Sequence, residues 1–185
     1  MAICFSAPGI RLGNVEDIDF FMAQDRVYQN AFSITCCRSR DNWRYLMTES
    51  LKTEYGSEFW IVEHPQKGEK FYCRVPGHGF GDGLILSEMI EDITQEAFTR
   101  LLGFLKVKAQ ERHKPYIRLN LHNASNAARM AIAMGAKKGR PYAWQVKIPD
   151  RKQFLERITP VLERRIQSSV FRNYAGELRL ELFQE

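Results

Sequence analysis

The segment 116–148 constrains the fold of this 185-residue chain most, because its pattern predicts a strand, a helix and a second strand in succession. Apolar and polar residues alternate over 116–122, as they do in a strand with one buried face. Ser125 predicts a helix cap, apolar residues up to Met134 then recur at the spacing of a helix face that is buried, and Gly135 provides the residue type that ends helices. Alternation returns over 143–148. This segment therefore predicts two strands of a sheet joined by a helix that packs on it.

The chain before this segment carries the same patterns and predicts the rest of that sheet. Predicted helices begin with caps at Asn14 and Asp41, predicted strands cover 59–63, 70–75 and 84–90, and a long helix capped by Thr94 runs from Gln95 to about His113. The fold class that we expect is α/β (α+β), with a central mixed, mostly antiparallel twisted sheet flanked by helices.

The character of the sequence changes after Pro149. Asp150 predicts one helix start, and the pair Thr159-Pro160 predicts a second. Residues 177–183 alternate strongly, as in a strand that needs a sheet to join. We therefore expect a main domain over 1–149 and a short helix–strand extension over 150–185.

Composition narrows the classes of protein to consider. Hydrophobic residues make up 44% and charged residues 26% of the chain, which is ordinary for a globular domain. No apolar run approaches the roughly 18 residues of a membrane helix, and the N-terminus lacks the pattern of a signal peptide. Four cysteines show neither metal-site spacing nor a disulfide framework. We expect a cytoplasmic protein with no metal and no membrane partner.

Charge is distributed unevenly along the chain. Residues 106–150 carry ten Lys and Arg against two Asp and Glu, whereas residues 82–105 carry one against five. A basic region can bind an anionic ligand or nucleic acid, but such regions are more often solvated faces of helices and strands. Only Tyr116 and Tyr142 lie near the positive charges, so the stacking platform that single strands need is missing and nucleic acid binding is not favoured.

The order helix, helix, three strands, helix, strand, helix, strand resembles that of the GNAT acyltransferase superfamily. In that superfamily the sheet splays between its fourth and fifth strands, here 84–90 and 116–122, to admit acyl-CoA. Three local segments carry a closer resemblance, namely 38–44, 58–62 and 144–150. They are similar to the second GNAT-like domain of bacterial multidomain acetyltransferases of the enhanced-intracellular-survival type. Residues 154–183 resemble the start of the sterol-carrier-like lobe that follows in those proteins.

The resemblance places a cofactor site for acetyl-CoA where the fourth strand meets the next helix. The residues it implies are Met89, Ile90, Thr94, Gln95 and Glu96. Catalytic members carry Gln/Arg-x-x-Gly-x-Gly/Ala at this junction, but residues 88–96 contain no glycine, no basic residue and four carboxylates. Because these carboxylates would repel the CoA pyrophosphate, tight binding of CoA is not expected.

The catalytic groups of the family are also altered. The tyrosine that acts as general acid in the family corresponds to Ala131, which cannot donate a proton. Asn123 and Asn126 lie near the family's asparagine position but fit its spacing poorly. Glu88, on the fourth strand, is the candidate for a general base, although a charged strand residue can equally face solvent.

Three hypotheses about function follow. The first is a GNAT-like module with a degenerate acetyl-CoA site, which packs against a catalytic GNAT domain, shapes its substrate pocket or forms a homo-oligomer. The second is an active acetyl-CoA-dependent N-acetyltransferase, in which Lys137, Lys138 and Arg140 reach the CoA phosphates. The third is an anion- or nucleic-acid-binding module that uses the basic region. The sequence does not identify an acyl acceptor.

Overall fold

A computed structural model describes residues 9–30, 35–63, 68, 70–79, 81–90, 92–140 and 147–176 of the chain. The chain divides into two compact units, Met1–Lys138 and Gly139–Glu185, which are described separately here as unit 1 and unit 2. The expected division into a domain over 1–149 and an extension over 150–185 stays a prediction.

Unit 1 begins with strand β1 (Ile10–Leu12) and, after a short 3-10 turn, helix α1 (Ile18–Asn30). The cap predicted at Asn14 is confirmed, since its side chain accepts a hydrogen bond from the Glu16 amide at 2.8 Å. The same turn is closed by Asp17, whose carboxylate accepts from the Asn14 amide at 3.0 Å.

Helix α2 (Arg40–Met47) starts two residues earlier than the sequence predicts. The predicted cap, Asp41, lies inside the helix, and Ser39 is the cap instead. Ser39 Oγ accepts from the Asn42 amide at 3.2 Å, and the Asn42 side chain accepts from the Ser39 amide at 2.9 Å. This reciprocal pair satisfies two N–H groups at once, an arrangement that Asp41 cannot form here.

Among the described residues, four strands form the main antiparallel sheet, in the order β1, β2 (Ser57–Glu63), β3 (Lys70–Pro76) and β5 (Glu88–Met89). Strands β2 (Ser57–Glu63) and β3 (Lys70–Pro76) confirm two predicted strands and pair along their whole length. Both are almost entirely buried or half-buried, because α1 and α2 cover one face of this sheet and α3 covers the other.

The predicted strand 84–90 is in fact two strands, β4 (Leu84–Leu86) and β5 (Glu88–Met89). Strand β4 pairs in parallel with β6 (Ile117–Leu119), whereas β5 pairs antiparallel with β3. The break falls at Ser87, whose amide donates to the Arg74 carbonyl at 2.9 Å. The chain therefore changes partner at Ser87, and the two sheet segments diverge from this point.

Helix α3 (Gln95–Glu111) and helix α4 (Asn126–Ala133) confirm two predicted helices. Their caps are the predicted Thr94 and Ser125, and Gly135 has a φ of 95° just after α4, as a helix-ending glycine does. Met134, predicted to face inward, is 46% exposed because it follows the last helical turn. The larger core cluster joins the sheet to α3 and α4, and the smaller one joins it to α1 and α2.

Unit 2 contains one long helix, α5 (Arg151–Gln167), capped by Asp150. The second helix start predicted at Thr159-Pro160 is wrong, because α5 continues through Pro160. The predicted strands over 143–148 and 177–183 lie wholly or largely outside the described residues. None of the helices in the described ranges combines the length and hydropathy needed to cross a bilayer.

Candidate functional site

The place of interest in unit 1 is the gap that opens between β5 and the chain after β6. The Asn120 amide donates to the Leu86 carbonyl at 2.9 Å, next to the last residue pair, Leu86 and Leu119, in the parallel pairing of β4 with β6. Buried apolar side chains of the larger core cluster occupy this region; they are Leu86, Met89, Ile93, Ala127 and Ala131. These side chains, which flank the gap in the sequence, therefore belong to one buried core.

A side-chain hydrogen bond links the two sides of this gap. Asn126, the first residue of α4, donates from Nδ2 to the carbonyl of Ile93 at 3.2 Å. Ile93 is 5% exposed and lies just before α3, so the bond ties the start of α4 to the start of α3. This role of Asn126 was not foreseen from its position in the sequence.

The five residues predicted to bind a cofactor are divided between two environments. Met89 is 1% exposed and belongs to the core, and Ile90 is half-buried against it. Thr94 caps α3, its hydroxyl accepting from the Ala97 amide at 3.2 Å. Gln95 and Glu96 instead line an open depression of about 560 Å³ on the first turns of α3.

The lining of that depression includes one positively charged residue near the start of α3. Its other lining residues are Thr99 and Arg100. The Arg100 guanidinium donates to the Glu63 carbonyl at 3.3 Å, which directs it toward the end of β2. The depression therefore combines one arginine with the Glu96 carboxylate.

Glu88, the predicted general base, is 6% exposed and is held by several donors. Arg38 forms a bidentate pair with it, Nη1 to Oε1 and Nη2 to Oε2, both at 2.7 Å. The Tyr72 hydroxyl donates to Oε1, and Arg74 Nη1 lies 3.8 Å from Oε2. Both carboxylate oxygens are therefore engaged by the protein itself.

A second buried carboxylate shares the same arginine. Asp25, on α1, is 2% exposed and accepts from Arg38 Nη1 at 2.9 Å and from Gln29 Nε2 at 2.8 Å. We call the group of Asp25, Arg38, Tyr72, Arg74 and Glu88 the Arg38 cluster. It connects α1, the segment before α2, β3 and β5.

Burial and charge perturb the pKa values in the Arg38 cluster. Burial raises the pKa of Asp25, and the nearby Arg38 offsets this only in part. Burial also raises the pKa of the Tyr72 hydroxyl, and the Glu88 charge and hydrogen bond raise it further. Burial lowers the pKa of Arg38, but the hydrogen bonds and charge of Glu88 outweigh burial, so the net pKa is raised. Arg38 therefore stays charged throughout the physiological pH range.

Aromatic packing fixes the position of Arg38. Its guanidinium carbon lies 5.1 Å from the centre of the Trp43 ring, which stacks on Phe21 at 5.4 Å. Trp43 and Phe21 are fully buried. A cation held over an aromatic face and bound to two carboxylates has little freedom to move.

Part of the Arg38 cluster could have been found from the sequence. Asp25 follows Ile18 by seven residues and Phe21 by four, so it lies on the apolar stripe of α1. A carboxylate on such a stripe indicates a buried partner. The identity of that partner depends on tertiary contacts, because Arg38 and Glu88 are 50 residues apart.

The remaining predicted positions are also located by the structure. Ala131 is 6% exposed and packs in the larger core cluster, where its methyl group fills space. Lys137, Lys138 and Arg140 are exposed. Among the residues that the structure describes, no group of three His, Cys, Asp or Glu side chains could hold a metal ion.

Comparison with solved structures defines the class of fold. No protein-family model matches the sequence, and no curated protein matches it. A probable acetyltransferase superposes with a TM-score of 0.53 at 16% identity, covering 77% of this chain and 99% of that one. The ribosomal-protein-alanine N-acetyltransferase of Brucella melitensis biovar Abortus 2308 gives 0.52 at 14%, covering 75% and 99%. A predicted acetyltransferase with acetyl-CoA from Clostridium acetobutylicum gives 0.53 at 14%, covering 74% and 94%.

These likenesses show that the chain has the fold of the GNAT-type acetyltransferases. The expected fold class, a mixed α/β arrangement with an antiparallel sheet flanked by helices, is confirmed. At these identities the likeness concerns the fold alone.

Proposed function

We propose that unit 1 is a GNAT-type module that acts through its shape and does not transfer acetyl groups. The observation that carries this proposal is the packed gap between β5 and the chain after β6. Its buried residues Met89, Ile93 and Ala127, together with the bond from Asn126 to Ile93, occupy the place where the resemblance implies acyl-CoA. Opening it would require this packing to be broken.

The state of Glu88 supports the same proposal. A general base needs a lone pair directed at a substrate proton. Here both oxygens of the Glu88 carboxylate accept hydrogen bonds from Arg38, and one of them also accepts from Tyr72. The positive charge of Arg74 lies 3.8 Å from the other oxygen. We assign Glu88 a structural role, that of joining β5 to α1 through Arg38.

Charge at the start of α3 is also unfavourable to a pyrophosphate. Asp92 is exposed, and Glu96 lines the depression on the first turn of α3. Two unit charges about 4 Å apart interact by about 4 kcal/mol at a surface-like dielectric constant. The residues present therefore do not fit acetyl-CoA, and we derive no acyl-transfer step for this chain.

A module of this kind works by binding other proteins. The more specific resemblance is to the second GNAT-like domain of enhanced-intracellular-survival-type acetyltransferases. From it we propose two alternative partners: a catalytic GNAT domain whose substrate pocket unit 1 shapes, or a further copy of the chain. In either case the Arg38 cluster would keep α1 and α2 in place on the sheet.

The alternative function is an active N-acetyltransferase that moves an acetyl group from acetyl-CoA to an amine. One observation favours it, the depression of about 560 Å³ beside Arg100 on the first turns of α3. In this alternative the exposed Lys137, Lys138 and Arg140 supply further positive charge to the CoA phosphates.

Isothermal titration calorimetry with acetyl-CoA separates the two functions. We expect no saturable heat at micromolar acetyl-CoA, and binding in that range would contradict the structural proposal. A variant with Lys137→Gln, Lys138→Gln and Arg140→Gln is the control. If the wild type binds acetyl-CoA at micromolar concentration and this variant does not, the alternative function is supported. A weak heat signal that added salt removes equally from the wild type and the variant indicates unspecific electrostatic attraction of acetyl-CoA.

A further inference from the structure

Helix α5 in unit 2 leaves an apolar face uncovered. None of its 17 residues is buried. Phe154 is 42% exposed, Leu162 38% and Ile166 47%. An amphipathic helix normally buries such a stripe, so an uncovered one marks an interaction surface.

The apolar side chains of α5 lie along one arc of the helix, which Arg151 and Arg165 interrupt. At about 100° per residue they span about 140° of the helix circumference. The members are Phe154, Leu155, Ile158, Val161, Leu162 and Ile166. Pro160 lies on the opposite side, so the carbonyl that loses its intrahelical partner there faces away from the arc.

Charge is placed asymmetrically around this arc. Five cations lie on α5 against two carboxylates. Arg151 and Arg165 fall within the arc, and Lys152 and Arg157 lie about 110° to either side of its centre. Their stems can lie along an apolar surface while the charged heads reach outward. Glu156 and Glu163 lie about 130° to 150° from the centre, on the back of the helix, where Arg164 also lies.

The exposed apolar surface continues beyond the end of α5. Val170 is 93% exposed, Phe171 63% and Tyr174 68%. Phe171 and Tyr174 pack edge to face, with ring centres 6.4 Å apart. Arg172 adds another cation beside them. Two aromatic rings and a valine are therefore exposed directly after α5, with a cation beside them.

We propose that α5 and residues 168–174 bind the surface of an anionic lipid bilayer. A basic helix with a wide apolar face, long cationic side chains within and beside that face, and both of its carboxylates on its back is suited to lie in the interface between headgroups and acyl chains. The expectation of no membrane partner rested on the lack of a spanning segment, and a surface-bound helix needs none.

A second copy of the chain fits this face less well. In a parallel pair of α5 helices each Arg165 meets its equivalent, because both lie within the apolar arc. In an antiparallel pair the like-charged edges of the two helices face each other. Both arrangements bring cations together, whereas anionic headgroups neutralise them.

Vesicle flotation with the full chain tests the proposal. We expect binding to phosphatidylcholine vesicles that contain phosphatidylglycerol, weaker binding at high salt, and little binding to phosphatidylcholine alone. The variant Phe154→Ser with Leu162→Ser should lower the partition coefficient at least about fivefold, since it removes apolar area from the arc. Arg157→Gln with Arg165→Gln should lower it by a similar factor.

The matched control is Gln153→Ser with Gln167→Ser, which introduces the same residue on the back of the helix. It should bind as the wild type does, and circular dichroism reports whether each variant keeps its helix. Absence of binding to anionic vesicles would overturn the proposal, as would equal loss in the control. Dimers in light scattering without vesicle binding would also overturn it and assign the face to a second copy. The inference concerns unit 2 alone, so its failure would leave the proposed function of unit 1 unaffected.

Discussion

Replacing Arg38 by methionine tests the role assigned to the Arg38 cluster. The substitution keeps an unbranched stem over Trp43 but removes the charge that Asp25 and Glu88 share. Both carboxylates are nearly inaccessible to water, at 2% and 6% exposure. Removing one partner from a buried ion pair typically costs about 3–5 kcal/mol, because the remaining charge is left uncompensated.

The magnitude for this site lies near the lower end of that range. The Tyr72 hydroxyl and Arg74 still serve Glu88, and Gln29 still donates to Asp25. We therefore expect a loss of about 3 kcal/mol in the free energy of unfolding at neutral pH. At about 2–4 °C per kcal/mol for a chain of this size, the midpoint of thermal unfolding falls by about 6–12 °C.

The control is Arg40→Met, which removes the pair between Arg40 and Asp19. That pair is exposed, with side-chain accessibilities of 52% and 79%, so its loss should cost well under 1 kcal/mol. Urea unfolding followed by circular dichroism measures both variants. Equal costs for the two substitutions would refute the view that Arg38 compensates buried charge.

The pH dependence of the Arg38→Met variant provides an independent check. The pKa of Asp25 is raised in the folded protein, so its buried charge costs stability above that pKa and the cost disappears as the pH falls through it. Without Arg38 this pKa rises further. The difference in stability between variant and wild type should therefore shrink on acidification from neutral pH, and a constant difference would contradict this explanation.

Further predictions concern single sites in unit 1. Asp17→Asn should lower the free energy of unfolding by about 1 kcal/mol at neutral pH. Because the hydrogen bond from Arg11 lowers the pKa of Asp17, the contribution of the Asp17 charge to stability is lost as the pH falls below the ordinary pKa of 3.8. Urea unfolding at a series of pH values measures this loss. Cys73 should react with iodoacetamide only after the protein unfolds, because burial raises the pKa of its thiol to about 12. Mass spectrometry measures the rate of labelling, and a rate equal to that of the exposed Cys36 and Cys37 would contradict this prediction. Gly13→Ala should destabilise by about 1–3 kcal/mol, since a Cβ there would lie 2.4 Å from the Phe21 ring, and an unchanged melting temperature would exclude that clash.

The features that sequence predicts well in this protein are local ones. The caps at Asn14, Thr94 and Ser125 depend on side chains that bond amides two or three residues away. Helix α4 and its end at Gly135 depend on spacing and on one backbone conformation. Where two possible caps lie two residues apart, as Ser39 and Asp41 do, the residue at the third helical position decides which of them caps the helix.

Features that depend on distant contacts were not predictable in the same way. The strand 84–90 is continuous in its apolar pattern, but the Ser87 amide bonds to Arg74 and divides it. Helix α5 continues through Pro160, although the pair Thr159-Pro160 by itself is typical of a helix start. Glu88 was identified as a charged residue on a strand, but its partner Arg38 is brought to it only by folding.

The central claim is that the gap between β5 and the chain after β6 is filled and does not accept acetyl-CoA. Two-dimensional nuclear magnetic resonance of the ¹⁵N-labelled protein, titrated with acetyl-CoA, tests it most directly. The amides of Ile93, Gln95 and Ala97 and the Asn126 side-chain amide report on the two sides of the gap. We predict that their signals stay in place at millimolar acetyl-CoA. Saturable shifts of these signals, with release of the Asn126 bond to Ile93, would contradict the claim.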